Sequence, residues 1–339
     1  MNLPGSDRKE VVVYKNSVNE NIYHTLYDML SVYATEATDV YFENNIFTNI
    51  SGLFGGMYLF EVGNVFMINN TFTNSNDFNL NIYQLNCFGN VVIDGHYSED
   101  IVSDPGSSYY LFLIYMSSSH FISVNDFTAK NITVDSQTLF GVIGNSDFSM
   151  TNSAFEAIRI GADGNMVNID GPGTFELSGT TMTDISNMDN VNTANYMVRV
   201  NNMNLDSASD SSIDNVEVTN SSIGFLYLMS VRNAPPAPRI LRISGVTLKN
   251  SEYAYPANLF NFERISTSED FSIEMSQINF EDLSFTLGGN LIYMYSQFLN
   301  GVNLINSSAR NIKGGSIHVE AFNKQNLTVP AKLSKVVSL

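Results

Sequence analysis

The stretch VYFENNIFTNI (Val40 to Ile50) returns twenty-five residues later as VFMINNTFTNS (Val65 to Ser75), with both Asn and the Phe in place. A unit this short cannot bury its own apolar side. Copies stacked in register can, so a sustained repeat of this length restricts the chain to a solenoid, propeller or array. Taking Phe47 and Phe72 as one column, the equivalent residues are Tyr97, Phe127, Phe155, Met182, Val218, Leu248, Phe280 and Ala309. Five residues before each stands another apolar one: Phe42, Met67, Val92, Ile122, Met150, Leu177, Ile213, Ile243, Met275 and Leu304. Two earlier again the position is usually apolar, with Asn90, His120 and Ser211 as exceptions.

Three before the aromatic column the chain reads Asn44, Asn69, Asp94, Val124, Asn152, Gly179, Asn215, Gly245, Gln277 and Asn306. Asn, Asp and Gly are the residues that tolerate positive φ, so this column predicts a recurring sharp bend between two extended pieces. Asn side chains stacked at such a bend can also hydrogen-bond from coil to coil. After each frame comes a second apolar run, among them MYLFEV (57–62), TLFGVI (138–143), NMVNI (165–169), NYMVRV (195–200), GFLYLM (224–229) and NLIYMY (290–295). These runs have strand patterning and are too short for helices.

The expected architecture is all-β, a parallel β-helix solenoid of about 11 coils with three short strands per coil. At ~4.8 Å per rung it makes a rod roughly 50 Å long. One domain covers 1–339: N-terminal coils over 11–50, where Val11, Val13 and Val18 fit the frame less cleanly, regular coils over 51–320, and an unfinished coil over 321–339. That bare C-terminal edge predicts that the chain continues into further domains. A leucine-rich repeat fits poorly, because its Asn position is Asn here only at Asn45, Asn70 and Asn125. A propeller would need four strands per blade, and the hexapeptide period of a left-handed β-helix is absent.

The bends NNIFTN, NNTFTN, SGTTMTD and GVTLKNS, with the strand starts GGMYLF, GGNLIY and GGSIHV, resemble right-handed parallel β-helices of the pectin-lyase-like superfamily. Within it they are most similar to the repeats of polymorphic outer-membrane proteins and large protist surface proteins. The resemblance spans nearly the whole chain and concerns fold. Its polysaccharide-cleaving members imply Asn-x-Asp, Asp-Asp, Gly-His-Gly and Arg-x-Lys motifs. Only the first has a counterpart, Asn168-Ile169-Asp170. A lyase-like site would instead need calcium-binding carboxylates beside Arg159, Arg199, Arg232, Arg239, Arg242 or Arg264, and no acid cluster of matching period accompanies these.

Composition narrows the partners. With 34 acidic against 16 basic residues and a net charge of −18, the surface repels phosphate backbones and anionic lipid heads, so nucleic acid is not an expected partner. No window reaches the length of a membrane-spanning helix. Cys87 is the only cysteine, which leaves no internal disulfide or cysteine-based zinc site, and beside Phe88 it reads as a small apolar filler. His24, His96, His120 and His318 share no column, and His96 is expected to face solvent. The acidic stretches 98–108 and 161–171 lack the spacing of known calcium loops and read as solvated turns. The insertions 205–212 and 232–239 lengthen single coils on an edge where a carbohydrate or protein could bind. The sequons at Asn49, Asn69, Asn131, Asn220, Asn306 and Asn326 are no more than abundant Asn, Ser and Thr produce by chance.

No catalytic, cofactor-binding or metal-binding residue is assigned. The expected function is a non-catalytic, elongated segment of a larger cell-surface or secreted protein, serving as scaffold, stalk or adhesin. The alternative is a carbohydrate-active or carbohydrate-binding β-helix with a divergent site.

Overall fold

The computed structural model describes residues 10–24, 30–33, 38–52, 57–78, 83–103, 110–116, 120–135, 138–161, 164–188, 195–203, 210–229, 239–263, 271–296, 302–321 and 327–328. Among them there is no helix, and every strand pairing is parallel. Most strands away from the ends bond to their equivalents one coil before and one coil after, so the chain is an all-β parallel solenoid. On its first side, Thr38–Glu43 lies between Glu10–Lys15 and Val65–Ile68. On its third side, Tyr110–Met116 lies between Tyr83–Cys87 and Thr138–Ile143. The apolar runs of the sequence become these third-side strands.

The core is a set of files running along the solenoid. Phe42, Met67, Ile93, Val124, Met150, Leu177, Ile213, Ile243, Met275 and Leu304 are in register, and all are buried. The aromatic column follows the register Phe47, Phe72, Ser98, Ala129, Phe155, Met182, Val218, Leu248, Phe280, Ala309.

Two coils depart from the expected frame. In the coil of His96 and the coil of Phe127, one or two residues are displaced, so Ile93 and Val124 replace Val92 and Ile122 in the inner file, while Val91 and Ile122 replace Asn90 and His120 before it. Tyr97 therefore lies outside the file, half-exposed, and His96 points inward at 1% exposure, contrary to its expected solvation. The file of rings is nonetheless continuous. Phe47 stacks on Phe72 at 4.4 Å, Phe72 meets His96 at 6.0 Å, His96 stacks on Phe127 at 4.7 Å, and Phe127 meets Phe155 at 6.0 Å. An imidazole fills the slot expected for the phenol. In the first rung the frame also moves by one: Val11, Val13 and Val18 are exposed, whereas Val12 and Tyr14 pack inward, Tyr14 stacking on Phe42 at 5.3 Å.

The bend column has positive φ throughout: Asn44, Asn69, Gly95, Asp126, Asn152, Gly179, Asn215, Gly245, Gln277 and Asn306. Gly95 and Asp126 stand where Asp94 and Val124 were expected. A second left-handed column follows five residues later in every case: Asn49, Asn74, Asp100, Asn131, Ala157, Asp184, Asn220, Asn250, Asp282 and Asn311. The coil thus turns twice within six residues, flanking a short strand.

The repeated Asn-Asn pair divides two tasks. The first Asn of each pair takes the left-handed bend and donates outside, Asn69 Nδ2 to Asn44 Oδ1 at 3.2 Å. The second is buried. Asn70 Oδ1 accepts from the Asn45 backbone N–H at 3.1 Å and from Asn45 Nδ2 at 3.0 Å, and Asn70 Nδ2 donates to the Phe42 carbonyl at 2.7 Å. Buried backbone polar groups need such partners. Later coils use Ser in the same role: Ser307 Oγ accepts from the Ile278 N–H at 3.0 Å and donates to the Ile305 carbonyl at 3.0 Å.

Candidate functional site

Where the bend edge repeats itself, the outward face of the third side does not. From its strands Val167, Ile169, Val198, Val200, Leu226, Leu228, Phe260 and Phe262 enter the core. Between them one outward row reads Gly141, Asn168, Arg199, Tyr227, Asn261, Tyr293 and His318. A neighbouring row reads Ile143, Asp170, Asn201, Met229, Glu263 and Tyr295.

These side chains form a bonded surface. Tyr196 and Tyr227 stack at 4.9 Å, and the Arg199 guanidinium stands 5.4 Å from the Tyr227 ring, within cation–π range. Arg199 Nε donates to Asn201 Oδ1 at 3.1 Å, and Asn201 Nδ2 donates to Asn168 Oδ1 at 3.2 Å. The Tyr227 hydroxyl donates to Glu263 Oε2 at 3.1 Å. Tyr293, two rungs beyond Tyr227 in register, forms a separate stack with His318 at 5.2 Å.

Beside this row lies a cavity of about 190 Å³, walled by residues including Asn195, Tyr196, Ser222, Tyr255, Asn261 and Glu263. It is smaller than sites for drug-sized ligands, which run to roughly 300–1,000 Å³. Asn261 is 3% exposed; its Nδ2 donates to the Tyr196 hydroxyl at 2.7 Å and to Glu263 Oε1 at 3.0 Å. Since an ionised carboxylate only accepts, Glu263 fixes which end of the amide faces it. Asn261 Oδ1 is then a buried acceptor with no hydrogen-bond donor among the described residues. Burial pushes the Tyr196 hydroxyl above the ordinary phenol range, partly offset by its hydrogen bond with Asn261.

The Asn168/Asp170 pair does reach the surface, but side chains of other coils engage it. Asn168 Nδ2 donates to the Tyr110 hydroxyl at 3.1 Å, and Asp170 Oδ1 accepts from Asn202 Nδ2 at 2.6 Å. The next carboxylate along its row is Glu263, three rungs away in register, or roughly 14 Å at ~4.8 Å per rung. Glycoside hydrolysis uses carboxyl pairs ~5–9.5 Å apart, so these two cannot act as one.

Of the arginines, Arg242 sits between Asp210 at 2.6 Å and Glu274 at 3.6 Å, and Arg159 is exposed. Arg232 and Arg264 lie outside the described residues, as does the side chain of Arg239. The structure brings no histidines together: His96 is in the core, His120 is exposed, His318 stacks on Tyr293, and the side chain of His24 lies outside the described residues. Burial pushes the Cys87 thiol up, out of the range of a reactive thiolate. Residues 98–103 of the first acidic stretch form strand with Ser98, Ile101 and Ser103 buried, so this part is not a solvated turn. Residues 104–108, 162–163, 205–209, 232–238 and most of 321–339 lie outside the described residues. Among the described residues, no group of three or more His, Cys, Asp and Glu is suited to hold a metal.

Tyr196, Tyr227, Asn261 and Glu263 went unremarked in the sequence. Their signal was there in NYMVRV, GFLYLM and NLFNFE, where alternate residues interrupt the apolar pattern with a different group each time. No protein-family model, curated protein or solved structure matches this chain.

Proposed function

We propose that this chain is a non-catalytic β-helical segment of a larger cell-surface or secreted protein, a scaffold that presents one side-chain-rich face to a ligand. The observation that carries the reading is the contrast between a bend edge filled by Asn, Asp or Gly in nearly every coil and a third-side face whose outward residue changes from each coil to the next. A repetitive framework with one non-repetitive face is how solenoids present binding surfaces. The bend and strand-start motifs support membership of the pectin-lyase-like superfamily and a right-handed coil. The wide separation of Asp170 from Glu263 supports the absence of paired acid–base chemistry on this face.

A carbohydrate-active site is the second reading, favoured by Asn168 and Asp170 standing outward beside Arg199. The two are separated by reducing-sugar release and unsaturated-product absorbance on a panel of plant and microbial polysaccharides. The scaffold reading expects no turnover. Turnover that disappears in Asp170→Ala would replace it with the second reading.

A further inference from the structure

In the N-terminal coils the third-side face carries a cluster of outward rings. Met57, Leu59 and Val62 are buried, so strand alternation turns Tyr58 and Phe60 outward on Met57–Val62. Tyr33 joins them from the preceding rung, in register with Phe60 and 70% exposed. Tyr58 and Phe60 lie nearly parallel, 15° apart with centroids at 6.1 Å, and Tyr33 meets them at 5.7 and 5.9 Å, inclined by 56° and 47°. The centroids close a triangle, and a point ~5 Å above it lies within ~6 Å of all three, the range of cation–π attraction. Two further observations bear on the charge such a surface receives. Glu61, next in the chain, is exposed at a left-handed φ of 58°. It falls where this strand holds one residue more than its neighbour, between the register pairs Leu59–Leu85 and Val62–Cys87. A bulge of this kind re-aims a side chain at a sheet surface, and the Glu61 carboxylate forms no ion pair among the described residues. The sequence also has no Lys or Arg between Lys15 and Lys130, against twelve Asp and Glu.

We propose that the surface of Tyr33, Tyr58 and Phe60 binds a trimethylammonium group carried on a methylated lysine side chain of a partner protein. Its methyl groups would rest on the rings, and its charge would meet their π-electrons and the Glu61 carboxylate. It has no N–H donor left to satisfy. An unmethylated ammonium keeps three donors and a firmly held hydration shell, which ring faces replace poorly. A choline headgroup would bring a phosphate into coils that hold no cation to receive it. The inference names a ligand for the third-side face and so rests on the scaffold reading. The two fail separately, since polysaccharide turnover and ammonium binding are independent measurements.

The test is ligand-observed NMR on the full chain at pH 7 and about 0.15 M salt, where long-range attraction to the acidic surface is screened. N-acetyl-trimethyl-lysine amide should bind saturably. N-acetyl-lysine amide should bind about 5-fold more weakly, and 3,3-dimethylbutanol, a neutral isostere of the head, at least ~10-fold more weakly. Tyr33→Ala should weaken the methylated ligand about 5-fold and Glu61→Gln about 3-fold, whereas Tyr33→Phe keeps the ring and the affinity. Phe121→Ala, at a ring 45% exposed on the first side, should change nothing. Melting temperatures near that of the parent would show that the variants fold. If Tyr33→Ala does not fold, nuclear Overhauser contacts in the parent decide the point, since the N-methyl protons should lie against the Tyr33 and Phe60 rings. Failure of the methylated ligand to bind the folded parent would overturn the proposal. So would equal binding of N-acetyl-lysine amide, phosphocholine or the neutral isostere, affinity unchanged in a folded Tyr33→Ala, or N-methyl contacts confined to other residues.

Discussion

The bend edge and the third-side face are built from the same parallel ladder, yet their side chains obey different rules. At the bend edge, left-handed positions recur five residues apart and are filled by Asn, Asp or Gly in nearly every coil. On the third-side face, the outward row changes from Gly to Asn, Arg, Tyr, Asn, Tyr and His over successive coils. Backbone geometry explains the first pattern, because only a few residue types adopt positive φ cheaply. It leaves the second open, since any residue can point outward from a strand. Residues that folding does not dictate are the ones available for recognition.

Four changes would break or sharpen this contrast. The largest effect is expected from Phe127→Ala at the bend edge, where the ring is fully buried between His96 and Phe155. Chemical denaturation should show a loss of about 3–5 kcal/mol, against less than about 1 kcal/mol for Tyr293→Ala on the third-side face. Comparable losses at the two sites would remove the distinction. Asn70→Ala comes next: it removes the acceptor of the Asn45 backbone N–H, one of the acceptors of Asn45 Nδ2, and the amide that donates to the Phe42 carbonyl. A loss of about 3 kcal/mol is expected in the same assay, and a change under ~1 kcal/mol would mean that the inner Asn ladder is dispensable.

The third change is pH. Burial holds His96 neutral in the folded chain, its pKa pushed from 6.5 down to about 3. Below pH 6.5 the unfolded chain takes up a proton that the folded chain refuses, so the His96 contribution is complete above this pH and lost below it. Between pH 6 and 5 it should fall by up to ~1.4 kcal/mol per unit. Subtracting the profile of His96→Phe isolates this from the carboxylates, and identical profiles would place the ring in solvent. The smallest effect is a gain. Ala157 occupies a left-handed position with φ of 54°, where a Cβ is unfavourable, so Ala157→Gly should stabilise by about 1 kcal/mol. Destabilisation would contradict the bend assigned there.

Much of this fold was legible because the repeat pairs an apolar frame with a bend residue. The frame failed at His96 and Phe127, where the aromatic column was followed at Tyr97 instead of through the His96 ring. Hydropathy favoured the phenol, whereas the structure buries an imidazole whose Nε2 lies 2.6 Å from Ser98 Oγ. The spacing of the two bends distinguishes the registers. An Asn or Asp lies five residues after Gly95 and after Asp126, at Asp100 and Asn131, whereas the positions five after Asp94 and Val124 are Glu99 and Ala129. The two-bend spacing therefore fixes the register that apolar residues leave ambiguous. The cavity was not legible in the same way. Tyr196, Ser222 and Glu263 belong to three successive coils, and only stacking brings them to one wall.

In-register stacking of coils is most directly measured by electron–electron spin distances along one outward row. Thr48, Thr73, Glu99, Lys130, Glu156, Thr183, Thr219, Lys249 and Glu281 are successive register partners. With Cys87 replaced by Ala, spin labels at Thr48 paired with Glu156, Thr219 or Glu281 should lie about 19, 29 and 38 Å apart, rising by ~4.8 Å per rung. Distances that level off, or that fail to grow with coil number, would contradict the solenoid on which every assignment above depends.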